Sequence, residues 1–263
     1  MNRPSAPCVL AIGGMDPSCG AGILADVRTL DAFGVVPLAV TTAITVQAGK
    51  GVRAVHPVAA ARVRAQLMEL LGTFALAAVK VGQVPGPACA RMLAEVLEHR
   101  AGHAPLVLDP VLRASGGGRL ASPAAARAIV RHLVPRAALV TVNLDEAEAL
   151  TGLRVRTADA MSVAARAIAA HGAAAVVIKG GHLRGPPLDL LLHRGRERRL
   201  GGKRLRGSMH GTGCAFASAA AASLACGASM EEAVAAARDH VRALLAAAVD
   251  SRGVRLRPPA PMR

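Results

Sequence analysis

Short apolar runs alternate along this chain with longer stretches in which apolar positions recur every three to four residues. The runs at 8–12, 38–43, 75–81, 106–109, 139–142 and 174–179 predict buried strands. Residues 188–192 and 203–206 give weaker strand signals. The helical pattern covers 21–33, 58–71, 87–99, 123–132, 144–150, 158–170, 212–226 and 230–248. Strand–helix alternation of this kind predicts an α/β fold, a mostly parallel sheet covered by helices on both faces. No repeat or long linker divides residues 1–263, which predicts a single domain with a loosely ordered tail over 250–263.

In such sheets ligands bind beyond the carboxyl ends of the strands. The polar residues of interest fall there. Gly13, Gly14 and Asp16 follow the first strand, and Gln47 follows the second. Lys80 and Gln83 bracket the end of the third, and Asp109 ends the fourth. Asn143 and Glu146 follow the fifth; Lys179, Gly180, Gly181 and His182 close the sixth.

The segment His210-Gly211-Thr212-Gly213-Cys214 carries the strongest chemistry. A glycine-rich turn at a helix start points successive backbone N–H groups at one spot, and the helix dipole adds positive charge. That makes an anion hole suited to phosphoryl transfer; the plainer alternative is a helix start with glycines for a tight turn. Cys214 on the first turn is expected to have a lowered thiol pKa. Asn143 with Glu146 fits a helix cap, or a Mg²⁺ shell reached through water, in which Asp109 could share. Lys179 can reach nucleotide phosphates. The glycine-rich stretch 13–22 lacks P-loop spacing and suits a substrate-cradling turn instead. Asp26, in the helix that follows, is either a pocket residue or a solvated helix charge.

Composition narrows the partners. The formal net charge is +15 and the sequence pI about 11.4, yet only 1% of residues are aromatic. The arginines are scattered and aromatic residues to stack on bases are almost absent, so the charge predicts a wet basic surface and no specific nucleic acid. Five cysteines, an odd number without a CxxC pair, point to a reduced cytoplasmic setting, and no run is long enough to span a membrane.

Together these segments resemble the ribokinase-like superfamily and, within it, the hydroxymethylpyrimidine/phosphomethylpyrimidine kinases of thiamine biosynthesis. The matching stretches are Gly13-Gly14-Met15-Asp16-Pro17-Ser18 with Gly20-Ala21-Gly22 and Ala25-Asp26, then Lys80-Val81-Gly82 and Val107-Leu108-Asp109-Pro110-Val111. Asn143 with Glu146-Ala147, Lys179-Gly180-Gly181-His182 and His210 to Cys214 complete the series in the family's order. The resemblance implies a three-layer αβα sandwich, MgATP as phosphate donor, and two successive phosphorylations of 4-amino-5-hydroxymethyl-2-methylpyrimidine. It implies Cys214 beside the accepting oxygen, an anion hole at Gly211, Thr212 and Gly213, and Lys179 steadying the transferred phosphate. It places Asn143, Lys179, Gly181, His210, Gly211 and Gly213 around ATP, and Glu146 with Asp109 near the metal. Gly14, Ala21, Asp26, Gln47 and Val111 would line the pyrimidine pocket, with Gln83 as an added member. A homodimer is expected. Pyridoxal or pyridoxine kinase on the same scaffold is the alternative enzyme, and a non-catalytic basic regulatory protein the alternative class. The chain departs from the family at Gln47-Ala48-Gly49, where Gln-Asn-Thr is usual, and at Gln83, where an apolar residue is usual.

Overall fold

The computed structural model describes residues 6–48, 51–114, 117–205, 209–251, 254–256 and 258. Nine strands form one sheet: β1 (Cys8–Met15), β2 (Val36–Ala48), β3 (Gly51–Pro57), β4 (Leu76–Val81), β5 (Leu106–Leu108), β6 (Leu139–Asn143), β7 (Ala175–Gly180), β8 (Leu188–His193) and β9 (Arg196–Gly201). Their order is β3-β2-β1-β4-β5-β6-β7-β8-β9. The six from β2 through β7 run parallel; β3, β8 and β9 are antiparallel additions at the two ends.

The helices are α1 (Gly22–Ala32), α2 (Ala60–Thr73), α3 (Pro87–Arg100), α4 (Pro123–His132), α5 (Leu144–Thr151), α6 (Ala158–Ala169), α7 (Thr212–Ala225) and α8 (Met230–Ala247). Strand side chains alternate between faces. Leu10, Ile12, Val79, Val81, Val140 and Val142 therefore join Val63, Leu67, Leu93 and Ile129 on one side of the sheet, under α2 to α6. Val9, Ala11, Ala78, Val107 and Val177 join Leu30, Phe216 and Ala220 on the other, under α1, α7 and α8. The result is a three-layer αβα sandwich.

Helix α7 is the central helix of its layer, and every residue from Cys214 to Ser223 is buried. Its small side chains let it approach the sheet, α1 and α8 closely; a helix apolar on all sides belongs in an interior.

Three sequence expectations are corrected here. Strand β3 was not foreseen, and β2 runs on past residue 43 to Ala48 to pair with it. The outer strand is β9 (Arg196–Gly201), not 203–206; residues 203–205 are irregular and Arg206 lies outside the described residues. In the stretch expected to be loose, β10 (Val249–Ser251) pairs with β11 (Val254–Leu256), and residues 252–253, 257 and 259–263 lie outside the described residues. Paired strands satisfy one another's backbone groups.

Candidate active site

The strand order turns between β1 and β4; α1 packs on β1 and β2, and α7 packs across β1 and β4. In open α/β sheets the ligand crevice lies at such a switch point, beyond the carboxyl ends of the strands. The ends are tied together: Gly82 N–H donates to the Ile12 carbonyl at 2.7 Å, and Asp109 N–H to Val81 at 2.8 Å. Beneath the crevice lies a buried ion pair. Lys80 Nζ is 2.8 Å from Asp26 Oδ2, with the two side chains 1% and 0% exposed. Ser218 Oγ, from α7, donates to Asp26 Oδ1 at 2.8 Å. Burial alone would favour loss of the Lys80 proton, but the facing carboxylate outweighs it and raises the ammonium pKa. Asp26 is thus no solvated helix charge; both of its oxygens are engaged inside the protein.

Above it, Asp16 organises the glycine-rich turn. Its carboxylate accepts from Ser18 N and Oγ at 2.9 and 2.7 Å, from Ala21 N at 3.0 Å, and faces His210 Nε2 at 3.0 Å. Burial would raise its pKa; the hydrogen bonds from His210, Ser18 and Gln47 prevail and hold it below the usual carboxylate range. Gly211 caps α7 in the left-handed region at φ +83°, and a Cβ there would strike the Gly20 carbonyl. Only glycine meets both demands.

The third part joins β5, β6, β7 and α7. Asn143 and Lys179 lie opposite one another at the ends of β6 and β7. Lys179 Nζ sits 3.4 Å from Asp109 Oδ1, which also accepts from Thr141 Oγ1 at 3.2 Å. A Cβ on Gly213 would lie 3.5 Å from Lys179 Nζ and 3.9 Å from either Asp109 oxygen. The first turn of α7 therefore faces the lysine and the carboxylate directly. No side chain caps that turn, and its leading N–H groups have no partner within the helix. Burial works against the Lys179 ammonium, but Asp109 and Glu146 more than compensate and raise its pKa.

Asn143 and Glu146 form a complete capping box on α5: Glu146 N–H donates to Asn143 Oδ1 at 2.8 Å, and Asn143 N–H to Glu146 Oε2 at 2.9 Å. Burial pushes the Glu146 carboxyl up to about 7, Asp109 adding to the effect and Lys179 opposing it. The buried Asp109 Oδ2 has no hydrogen-bond partner. An anionic oxygen left without a donor is costly, which suits an arriving cation. Among the described residues no cluster of three or more His, Cys, Asp or Glu could hold a metal alone. The donor set fits Mg²⁺ that completes its shell with water and phosphate oxygens.

Cys214 departs from expectation. It is 7% exposed, and its pKa is pushed up to about 12. Burial is the main cause; Lys80 opposes it, Asp26 and Asp109 reinforce it. The helix-terminal position does not prevail, because the thiol points among buried groups and two carboxylates lie near. Gln83 does not point to solvent either. It is buried, its Nε2 donates to the Leu120 carbonyl at 3.2 Å, and its Oε1 occupies the space that a Cβ on Gly14 would need.

The family model for phosphomethylpyrimidine kinase matches residues 16–255. This chain belongs to that family. A hydroxymethylpyrimidine/phosphomethylpyrimidine kinase from Streptomyces coelicolor is 39% identical over 242 residues, which cover 92% of this chain and 89% of that one. Among solved structures, phosphomethylpyrimidine kinase from Clostridium difficile superposes with a TM-score of 0.80 at 32% identity, covering 90% and 98% of the two chains. Pyridoxal kinase from Staphylococcus aureus, in complex with AMP-PCP and pyridoxal, superposes at 0.89 and 30% identity, covering 97% and 94%. Backbone likeness thus leans to the pyridoxal kinase and sequence to the pyrimidine kinase. Side chains choose the acceptor, so the sequence comparison carries more weight for activity.

Most residues expected around the kinase family's site converge. Gly14, Ala21, Asp26, Lys179, Asp109, Glu146 and the 210–214 turn gather at one sheet edge. Gln47 is engaged with Asp16, and Val111 lies just past Asp109, its N–H donating to the Asp109 carbonyl at 2.7 Å. His210 braces Asp16, and the Gly181 carbonyl accepts from Arg204 Nη1 at 2.6 Å. Sequence reasoning placed Lys80 at the ligand-binding strand ends without a role, and did not assign Ser218, Thr141 or Arg204 to the site. Lys80 sits inside an apolar strand, and a buried lysine there carries its own signal: it demands a partner.

Proposed function

We propose that the chain works as one kinase domain in the cytoplasm. It transfers a phosphoryl group from MgATP to the hydroxymethyl group of 4-amino-5-hydroxymethyl-2-methylpyrimidine, then to the resulting monophosphate, giving the diphosphate used in thiamine diphosphate formation. The observation that carries this is the meeting of Lys179, Asp109 and the uncapped first turn of α7 in a chain of this family. No helix among the described residues is long and apolar enough to cross a membrane.

Lys179 and the N–H groups of Gly211, Thr212 and Gly213 bind the transferred phosphoryl oxygens as charge builds on them. Asn143 and Gly181 flank the nucleotide, and His210 holds the Gly211 turn in place through Asp16. Asp109 and Glu146 would hold Mg²⁺, which with nucleotide bound supplies neutralisation of the β- and γ-phosphate charge. Gly14, Ala21, Gln47, Gln83 and Val111 border the acceptor, above the Asp26–Lys80 pair. With its high pKa, the Cys214 thiol is protonated at neutral pH and orients the accepting oxygen by hydrogen bonding. A largely dissociative transition state removes the acceptor proton late, so a strong base is not required.

ADP release measured with the aminopyrimidine, with pyridoxine and without acceptor tests the assignment. Turnover on the pyrimidine well above pyridoxine is expected. Preference for pyridoxine would favour the second reading, to which the backbone likeness points; no acceptor-dependent release would refute both. A homodimer is also proposed, on the strength of Ile44 and Val46, exposed at 49% and 47% on β2. Sedimentation equilibrium at the monomer mass would refute it.

A further inference from the structure

One groove lies away from the site. With a volume of about 890 Å³, it runs along the outer side of α4, from the segment after β5 to the turn before β7. None of the residues gathered at the site lines it. Arg113 and Arg119 enter from the segment, Arg127 and Arg131 from α4, and His171 from the far turn. Its described lining contains no carboxylate. Among the described residues the guanidinium groups of these four arginines have no hydrogen-bond or ion-pair partner, whereas those of Arg136, Arg156, Arg166, Arg199 and Arg238 elsewhere pair with acids.

The four form two like-charged pairs. Arg113 and Arg119 stand directly opposite each other across an antiparallel bridge. Like charges so placed repel. Arg127 and Arg131 are four residues apart on one helix, where like charges also repel. Two repulsive pairs facing one concave space are relieved by an anion between them. Guanidinium forks match phosphate oxygens two at a time, and the volume lies within the range of small-ligand sites. We propose that this groove is a second binding site, separate from the catalytic crevice, for a small ligand carrying two or more linked phosphate groups.

Calorimetric titration of inorganic tripolyphosphate into the full chain at 0.15 M NaCl tests it. The variants are R127Q/R131Q in the groove and R62Q/R91Q as a control with the same loss of charge on α2 and α3. The groove variant should bind tripolyphosphate at least tenfold more weakly at one class of site, with kcat and KM for ATP unchanged in phosphate-free buffer. The control should bind as the parent does. Equal weakening in both would make the effect a diffuse property of the basic surface and overturn the proposal. So would unchanged binding in the groove variant, or a KM for ATP that rises with it, which would merge the groove with the nucleotide site. Displacement of tripolyphosphate from the groove by a DNA duplex at lower concentration would overturn the small-ligand assignment. If R127Q/R131Q fails to fold, R113Q/R119Q reads the same outcomes from the opposite wall.

Discussion

Replacing Lys80 by methionine isolates the energetics under the crevice. The change keeps the stem out to the ε-carbon and removes the cation 2.8 Å from Asp26, a carboxylate with 0% exposure. Asp26 then retains the Ser218 hydroxyl but faces no positive charge. An uncompensated buried charge costs about 3–5 kcal/mol. The carboxyl has a way out, which is to take up a proton. Its ordinary pKa is 3.8, and burial already favours the neutral form. Protonation at pH 7 has a cost of about 1.4 kcal/mol for each pH unit above that value, which sets a ceiling of about 4 kcal/mol. The sign follows from proton counts. Folded K80M holds a proton on Asp26 that the unfolded chain has released, so its stability falls as pH rises above 3.8 and recovers on acidification. Urea unfolding should therefore show K80M less stable than the parent by about 4 kcal/mol at pH 7 and by about 1.5–2 kcal/mol at pH 5. The double variant D26N/K80M should be less destabilised at pH 7 than K80M alone, because no charge is left to neutralise. A K80M penalty that stays level between pH 7 and pH 5, or is below about 1 kcal/mol, would refute the assignment of a buried ion pair.

Three further expectations concern the site. Iodoacetamide at pH 8 should modify the exposed Cys226 before Cys214, whose thiol is buried with a pKa near 12, and activity should survive the first adduct by mass spectrometry; C214A should still lower kcat by about 10²-fold, and inactivation coincident with the first adduct would contradict the buried thiol. E146Q should raise the Mg²⁺ concentration for half-maximal activity while leaving KM for the pyrimidine near its parent value; an unchanged Mg²⁺ titration would leave Glu146 as a cap of α5 alone. Q83M should change the ratio of kcat/KM for the aminopyrimidine over pyridoxine by about tenfold, since the Gln83 amide lies against Gly14; a constant ratio at saturating MgATP would place it outside the acceptor pocket.

What was legible in the chain follows burial. The strands β1, β4, β6 and β7 are covered on both faces, so they read as continuous apolar runs. Strand β9, Arg-Glu-Arg-Arg-Leu-Gly, and strand β3, Gly-Val-Arg-Ala-Val-His-Pro, lie at the sheet's ends, where solvent removes the need for apolar residues. The alternating Lys203-Arg204-Leu205-Arg206 imitates a half-buried strand, yet Arg204 instead donates to the carbonyls of Gly181, Leu183 and Gly185. Glycines and polar residues at strand ends revealed the crevice because parallel sheets place those ends together. The pairing of Lys80 with Asp26 and Ser218 joins residues 54 and 192 positions from Asp26, and no local pattern encodes it. Nor could sequence position give the Cys214 pKa, since the helix terminus was visible and the depth was not.

The two ends of the sheet differ in a way that bears on assembly. Beyond β8 the sheet closes with Arg196, Glu197, Arg198 and Arg199, a charged margin that repels further strands. The β2–β3 end instead shows Ile44 and Val46 to solvent. If the proposed homodimer forms through the β2–β3 end, each copy offers that end once, and a pair that uses it on both sides leaves none of it free. Such an association closes at two by twofold symmetry and cannot propagate into a filament.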